Sequence, residues 1–92
     1  INGDYSFGIK DGVHYLVELK TGEKVALEGV DKAFPLSIKN EDENSTELAL
    51  VVRKDQAWYM IDTKGETIYT FEQTELTENS KLTLKDKELI VE

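Results

Sequence analysis

The stretch Leu48-Ala49-Leu50-Val51-Val52-Arg53-Lys54-Asp55-Gln56-Ala57-Trp58-Tyr59-Met60-Ile61 decides the fold class. It holds two short runs in which side chains alternate with a period of two. Leu48, Leu50 and Val52 lie opposite Ala49, Val51 and Arg53, and Ala57, Tyr59 and Ile61 lie opposite Trp58, Met60 and Asp62. Alternation of this kind places successive side chains on opposite faces of a pleated strand. Lys54-Asp55-Gln56 between them reads as a tight turn, since aspartate tolerates the left-handed backbone region better than most residues. Two antiparallel strands therefore span the stretch. Trp58 and Tyr59 point to opposite faces, so either one is exposed or both faces are covered, as in a sandwich.

The same grammar extends in both directions. Tyr5, Phe7 and Ile9 alternate with Ser6 and Gly8; Val13, Tyr15, Val17 and Leu19 with His14, Leu16 and Glu18; Phe34, Leu36 and Ile38 with Pro35 and Ser37. Further apolar runs cover Ile68 to Phe71, Leu82 to Leu84, and Leu89 to Val91. Asp11-Gly12 is a strong two-residue hairpin signal, and Lys85-Asp86-Lys87 stands in the same relation to its flanks. Asp62-Thr63-Lys64-Gly65 suits a turn closed by a left-handed glycine, and Leu19-Lys20-Thr21-Gly22 resembles it. Pro35 inside an apolar run marks an edge or irregular strand, because proline has no N–H to give a ladder. The best helix candidate, Gln73 to Asn79, is weakened by its threonines. Lys39 to Glu47 reads as a solvated loop between two similar halves.

Those halves align. Lys10-Asp11-Gly12-Val13-His14-Tyr15-Leu16-Val17 matches Lys54-Asp55-Gln56-Ala57-Trp58-Tyr59-Met60-Ile61, and Gly22-Glu23 matches Gly65-Glu66 after a one-residue loss of register. Lys85-Asp86 begins a third copy. The expectation is a single all-β domain over residues 1–92, made of antiparallel meanders and hairpins with roughly seven or eight strands. About 2.5 internal repeats cover residues 5–38, 48–76 and, in part, 80–92. One meander of this length buries little apolar surface alone, so the copies must share a core. The start at Ile1 and the apolar end at Leu89-Ile90-Val91 are read as signs of a longer repeat protein.

Composition narrows the functions. Nineteen acidic against eleven basic residues give a net charge of −8. Such a surface repels phosphate backbones and anionic lipid and favours basic partners, so neither nucleic acid nor membrane insertion is expected. With no cysteine, disulfides, thiolate zinc sites and cysteine nucleophiles are excluded. No apolar run reaches the roughly 20 residues of a membrane-spanning helix.

The segment 48–66 resembles the WG (KWG) repeat family. Leu48 to Asp55 resembles that unit's leading strand and turn, Trp58 stands at its tryptophan, and Ile61-Asp62-Thr63-Lys64-Gly65-Glu66 resembles its closing strand and turn. Phe71-Glu72-Gln73-Thr74 and Val30-Asp31-Lys32-Ala33 loosely resemble the segment between units. Tyr59 replaces the family's glycine, His14-Tyr15 replaces Trp-Gly in the first copy, and Glu88-Leu89 replaces it in the third. The resemblance implies a β-rich repeat protein, bacterial in many cases, with a slight lean to the cell envelope or secretion and no catalytic residues to carry over.

The site candidates are few. Trp58, Tyr69 and His14 are candidates for a ligand-contacting aromatic face that would stack on a sugar or peptide; the competing reading packs them in a core. His14, the only histidine, lacks a second imidazole to complete a metal site. Glu41, Asp42, Glu43 and Glu47, with Asn40 and Asn44, are oxygen-rich but lack the spacing of a calcium loop. Asn44-Ser45-Thr46 fits a glycosylation acceptor, a pattern frequent by chance. No serine–histidine motif, phosphate loop or dinucleotide fingerprint occurs. The expectation is a non-catalytic binding or scaffold module for a protein or carbohydrate, with no cofactor and no metal. The alternatives are a structural spacer without its own ligand and, last, a small hydrolase built on a carboxylate pair.

Overall fold

A computed structural model describes residues 5–72 and 74–92. Among them the chain is all β, with nine strands: β1 Tyr5–Lys10, β2 Val13–Glu18, β3 Lys24–Leu27, β4 Val30–Asn40, β5 Ser45–Lys54, β6 Ala57–Ile61, β7 Thr67–Phe71, β8 Leu82–Lys85 and β9 Glu88–Val91. They form a three-stranded sheet, β1-β2-β3, and a six-stranded sheet, β7-β6-β5-β4-β8-β9.

The turns follow from backbone sterics. Asp11-Gly12, Asp55-Gln56 and Asp86-Lys87 each place two consecutive residues at positive φ, between 51° and 80°. This is the turn whose twist matches that of the strands it joins. The next turn in each meander is closed by a glycine, Gly22 at φ 77° and Gly65 at φ 87°. Gly22 donates its N–H to the Glu18 carbonyl at 2.8 Å, and Gly65 donates to the Asp62 carbonyl at 3.1 Å. The first turn is thus one residue longer. A β-bulge between Met60 and Ile61 restores the balance. His14 faces Leu27 and Trp58 faces Phe71, the same relative positions in the two meanders.

The Asp62 carboxylate organises the second of these turns. Its Oδ1 accepts the N–H groups of Lys64 and Glu66, each at 2.9 Å. The bond from Glu66 is the main reason its pKa lies below the ordinary 3.8, with Lys64 adding a second bond and its positive charge.

Two hydrophobic clusters lie on opposite faces of β5. Leu50 and Val52 join Ile61 of β6 and Leu16 and Leu27 of the small sheet, with Tyr5, Phe7, Val25 and Tyr59 packed around them. The small sheet thus covers one face of the large one. Ala49 and Val51 point the other way, into a cluster of Leu36, Trp58, Phe71, Leu76 and Leu82, flanked by Leu89 and Val91. Phe71 on one outer strand and Val91 on the other belong to the same cluster. The six-stranded sheet must therefore curl around it.

Several expectations change. The residues 39–47 are not all loop: pairing runs out to Asn40↔Ser45, leaving only Glu41 to Asn44 as the turn. That turn is clamped to its neighbour. The Asp42 carboxylate accepts the Asp86 and Lys87 N–H groups at 2.7 and 2.9 Å, and Glu41 donates its N–H to the Leu84 carbonyl at 2.7 Å. The helix candidate at 73–79 does not form over its described residues, and Gln73 lies outside them. Instead the Thr77 and Ser80 side chains bond the local backbone. The strands are not all successive meanders either. After β7 the chain crosses over, and β8 pairs parallel with β4 through Ile38↔Leu82 to Asn40↔Leu84.

Pro35 fits this arrangement. Lys54↔Ala57 closes a two-residue turn and is a hydrogen-bonded pair, so alternate residues back to Leu50 face β6. Pro35 sits opposite Leu50 and need donate nothing to β5. On its other side, β8 begins only opposite Ile38.

Two outcomes are expected. Gln56→Gly removes a side chain held at φ 68° and raises stability by about 0.5–1 kcal/mol in chemical denaturation, the left-handed strain less the added freedom of the unfolded glycine. Asp62→Asn lowers the melting temperature at neutral pH. Because folding depresses the Asp62 pKa, that stabilisation is present above 3.8 and fades as the pH falls through the lowered value. Melts of the two proteins therefore converge on acidification.

Candidate functional site

The three aromatic candidates do not form one exposed platform. Trp58 is only 2% exposed. Its ring lies 5.3 Å from Phe34 at a 49° tilt, and its indole Nε1 is buried without a hydrogen-bond partner. The physical reason is the sheet's curl, which encloses the Trp58 face rather than leaving it open. His14, 9% exposed, sits in the other meander, with Nδ1 buried and unpartnered. It borders a groove of about 570 Å³ shared with Asp31, Phe34, Leu76 and Glu78. Only Tyr69 is open, at 42% exposure, set edge-on against Phe71 with ring centroids 4.9 Å apart.

The acidic segment has structural duties. Both Asp42 oxygens are taken by the β8–β9 turn. Asn40 accepts the Glu43 N–H at 3.0 Å and donates to the Glu43 carboxylate at 3.2 Å. Among the described residues no three His, Cys, Asp or Glu side chains gather as a metal site. They hold no helix long and apolar enough to cross a membrane.

What the structure assembles is an open side. Among the described residues, curling leaves β7 and β9 as the two free edges of the large sheet. Tyr69, Phe71, Leu89 and Val91 line a groove of about 510 Å³ between them, with Thr70, Glu72 and Thr74 at its margin. Ile68 and Ile90 stand on the same two edges at 59% and 40% exposure. Strand β7 itself, Thr67-Ile68-Tyr69-Thr70-Phe71, carries no charge and no proline. Charge and proline are two of the devices by which soluble proteins guard a free edge, because unpaired N–H and C=O groups invite another strand; β7 has in their place the bulge at Ile68, near its start. The alternation identified β7 as a strand but could not identify it as an edge. Leu89, Ile90 and Val91 were legible as apolar, while their position across a groove from Tyr69 was not.

No protein-family model, curated protein or solved structure matches this chain.

The two aromatic environments separate in a mutational test. Trp58→Ala empties a filled interior site and costs about 3–5 kcal/mol. Tyr69→Ala loses one edge-to-face contact and costs about 1 kcal/mol. Urea midpoints of the two variants against the parent protein measure the difference.

Proposed function

We propose that the domain is a non-catalytic module that binds an extended polypeptide segment along its open sheet edge. The single observation that carries this reading is the free edge β7, uncharged and bearing half-exposed Tyr69 and exposed Ile68 beside a groove lined by Phe71, Leu89 and Val91. Main-chain hydrogen bonds along such an edge supply affinity, and alternate side chains supply selectivity. Glu72 lines the groove, Glu66 and Glu75 flank β7, and the chain carries a net charge of −8. The matching segment is therefore basic as well as apolar, and its capture weakens with salt. The resemblance of 48–66 to WG repeats is compatible with a binding scaffold, and the shared register of the two meanders supports reading them as copies of one unit.

The test is titration with a synthetic peptide of alternating lysine and valine, followed by calorimetry. Binding is expected, and Ile68→Lys weakens it about tenfold by setting like charge against the peptide. Leu19→Lys, at another exposed apolar position, leaves it unchanged apart from the general loss of negative charge. Absence of binding, or equal losses in the two variants, returns the domain to the spacer reading.

A further inference from the structure

The two edges of the open side run in the same direction. β4, β5, β6 and β7 are successively antiparallel, so β7 opposes β4. β8 is parallel to β4, and β9 is antiparallel to β8, so β9 opposes β4 as well. A strand laid between β7 and β9 is consequently antiparallel to both at once.

The backbone on each edge is turned toward that gap. Lys81 and Glu92 exchange both N–H···O bonds, each at 2.9 Å. Antiparallel pairs alternate between bonded and non-bonded, so Ile90 also bonds to β8, while Leu89 and Val91 turn their N–H and C=O groups outward. On the other side, Ala57, Tyr59 and Ile61 bond to β5. Trp58 and Met60 are left to bond Phe71 and Tyr69. Thr70, between them, faces its N–H and C=O away from β6. The side chains agree with the backbone. Phe71 and Tyr69 share the concave face with Trp58 and Met60, as Val91 and Leu89 do with Leu82 and Leu84. Together they form a partly open apolar floor.

We infer that one extended basic segment inserts between β7 and β9, hydrogen-bonding to both edges and closing the curled sheet into a seven-stranded barrel. Its alternate apolar side chains rest on Tyr69, Phe71, Leu89 and Val91. The intervening ones are lysine or arginine, in keeping with Glu72 at the groove and with exposed Glu88 and Glu92 on or beside β9. This deepens the strand-addition reading and rests on it, since a segment pairing with β7 alone would satisfy that reading without closing the sheet. A second copy of this chain is a poor occupant, because each brings a charge of −8.

Amide hydrogen exchange on the complex with the alternating lysine–valine peptide tests the insertion. The amides of Thr70, Leu89 and Val91 are each expected to exchange at least about tenfold more slowly when peptide is bound, as free N–H groups become paired. A nitroxide on the peptide's N-terminus should broaden the amides of Glu72 and Val91, and one on its C-terminus those of Ile68 and Glu88. Slowing confined to one edge, or labels that broaden the opposite ends, overturns the insertion while leaving strand addition in place. A peptide that fails to bind overturns both.

Discussion

Everything in this domain depends on β5 being buried on both faces. Ala49, Leu50, Val51 and Val52 are consecutive and all buried, with Val51 fully so. A strand in a chain this small usually has one wet face. Here Leu50 and Val52 require a cover on one side, and the β1-β2-β3 sheet provides it. Ala49 and Val51 require a cover on the other, and the large sheet provides that by curling until β7 and β8–β9 enclose it together with Leu76. Each fully buried aliphatic side chain is worth about 1.5–3 kcal/mol, so a domain with a thin core cannot leave either face of β5 open.

The curl relies on small devices that hold distant segments in register. Asp42 bonding the β8–β9 turn ties together residues 44 and 45 positions apart in the chain. The four-residue turn after β2 and the bulge after Met60 both preserve the pairing of the second and third strands of each meander. Gly65 belongs with these devices: a Cβ there would come within 3.0 Å of Val25 Cγ1, so the turn after β6 lies close against β3 of the small sheet. The two sheets meet at that point through a backbone that only glycine leaves thin enough.

Curling has a cost that falls on the edges. A sheet that wraps without closing leaves two free strands facing one another, and here both keep apolar residues partly open. In the proposed function this incompleteness is the binding site. The buried Trp58 then acts indirectly, as the side chain that fills the concavity behind Phe71 and Tyr69, while contact with a partner belongs to β7 and β9.

Much of this was written locally. The two-residue alternation at 5–9, 13–17, 48–53 and 57–61, and the aspartate turns at 11, 55 and 86, depend only on nearest neighbours and specify strands and hairpins. The aromatic candidates were legible as residues but not as a site, because burial of Trp58 is decided by Phe34 and Leu76, neither of them its chain neighbour. Likewise the parallel β4–β8 pairing joins residues more than forty positions apart through the partly polar ends Lys39-Asn40 and Thr83-Leu84, where no hydrophobic pattern announces it. By itself the sequence determined an all-β chain and its hairpins, since period and turn chemistry are short-range properties. Tertiary structure alone decided which strands became edges, because an edge is defined by what fails to pair with it.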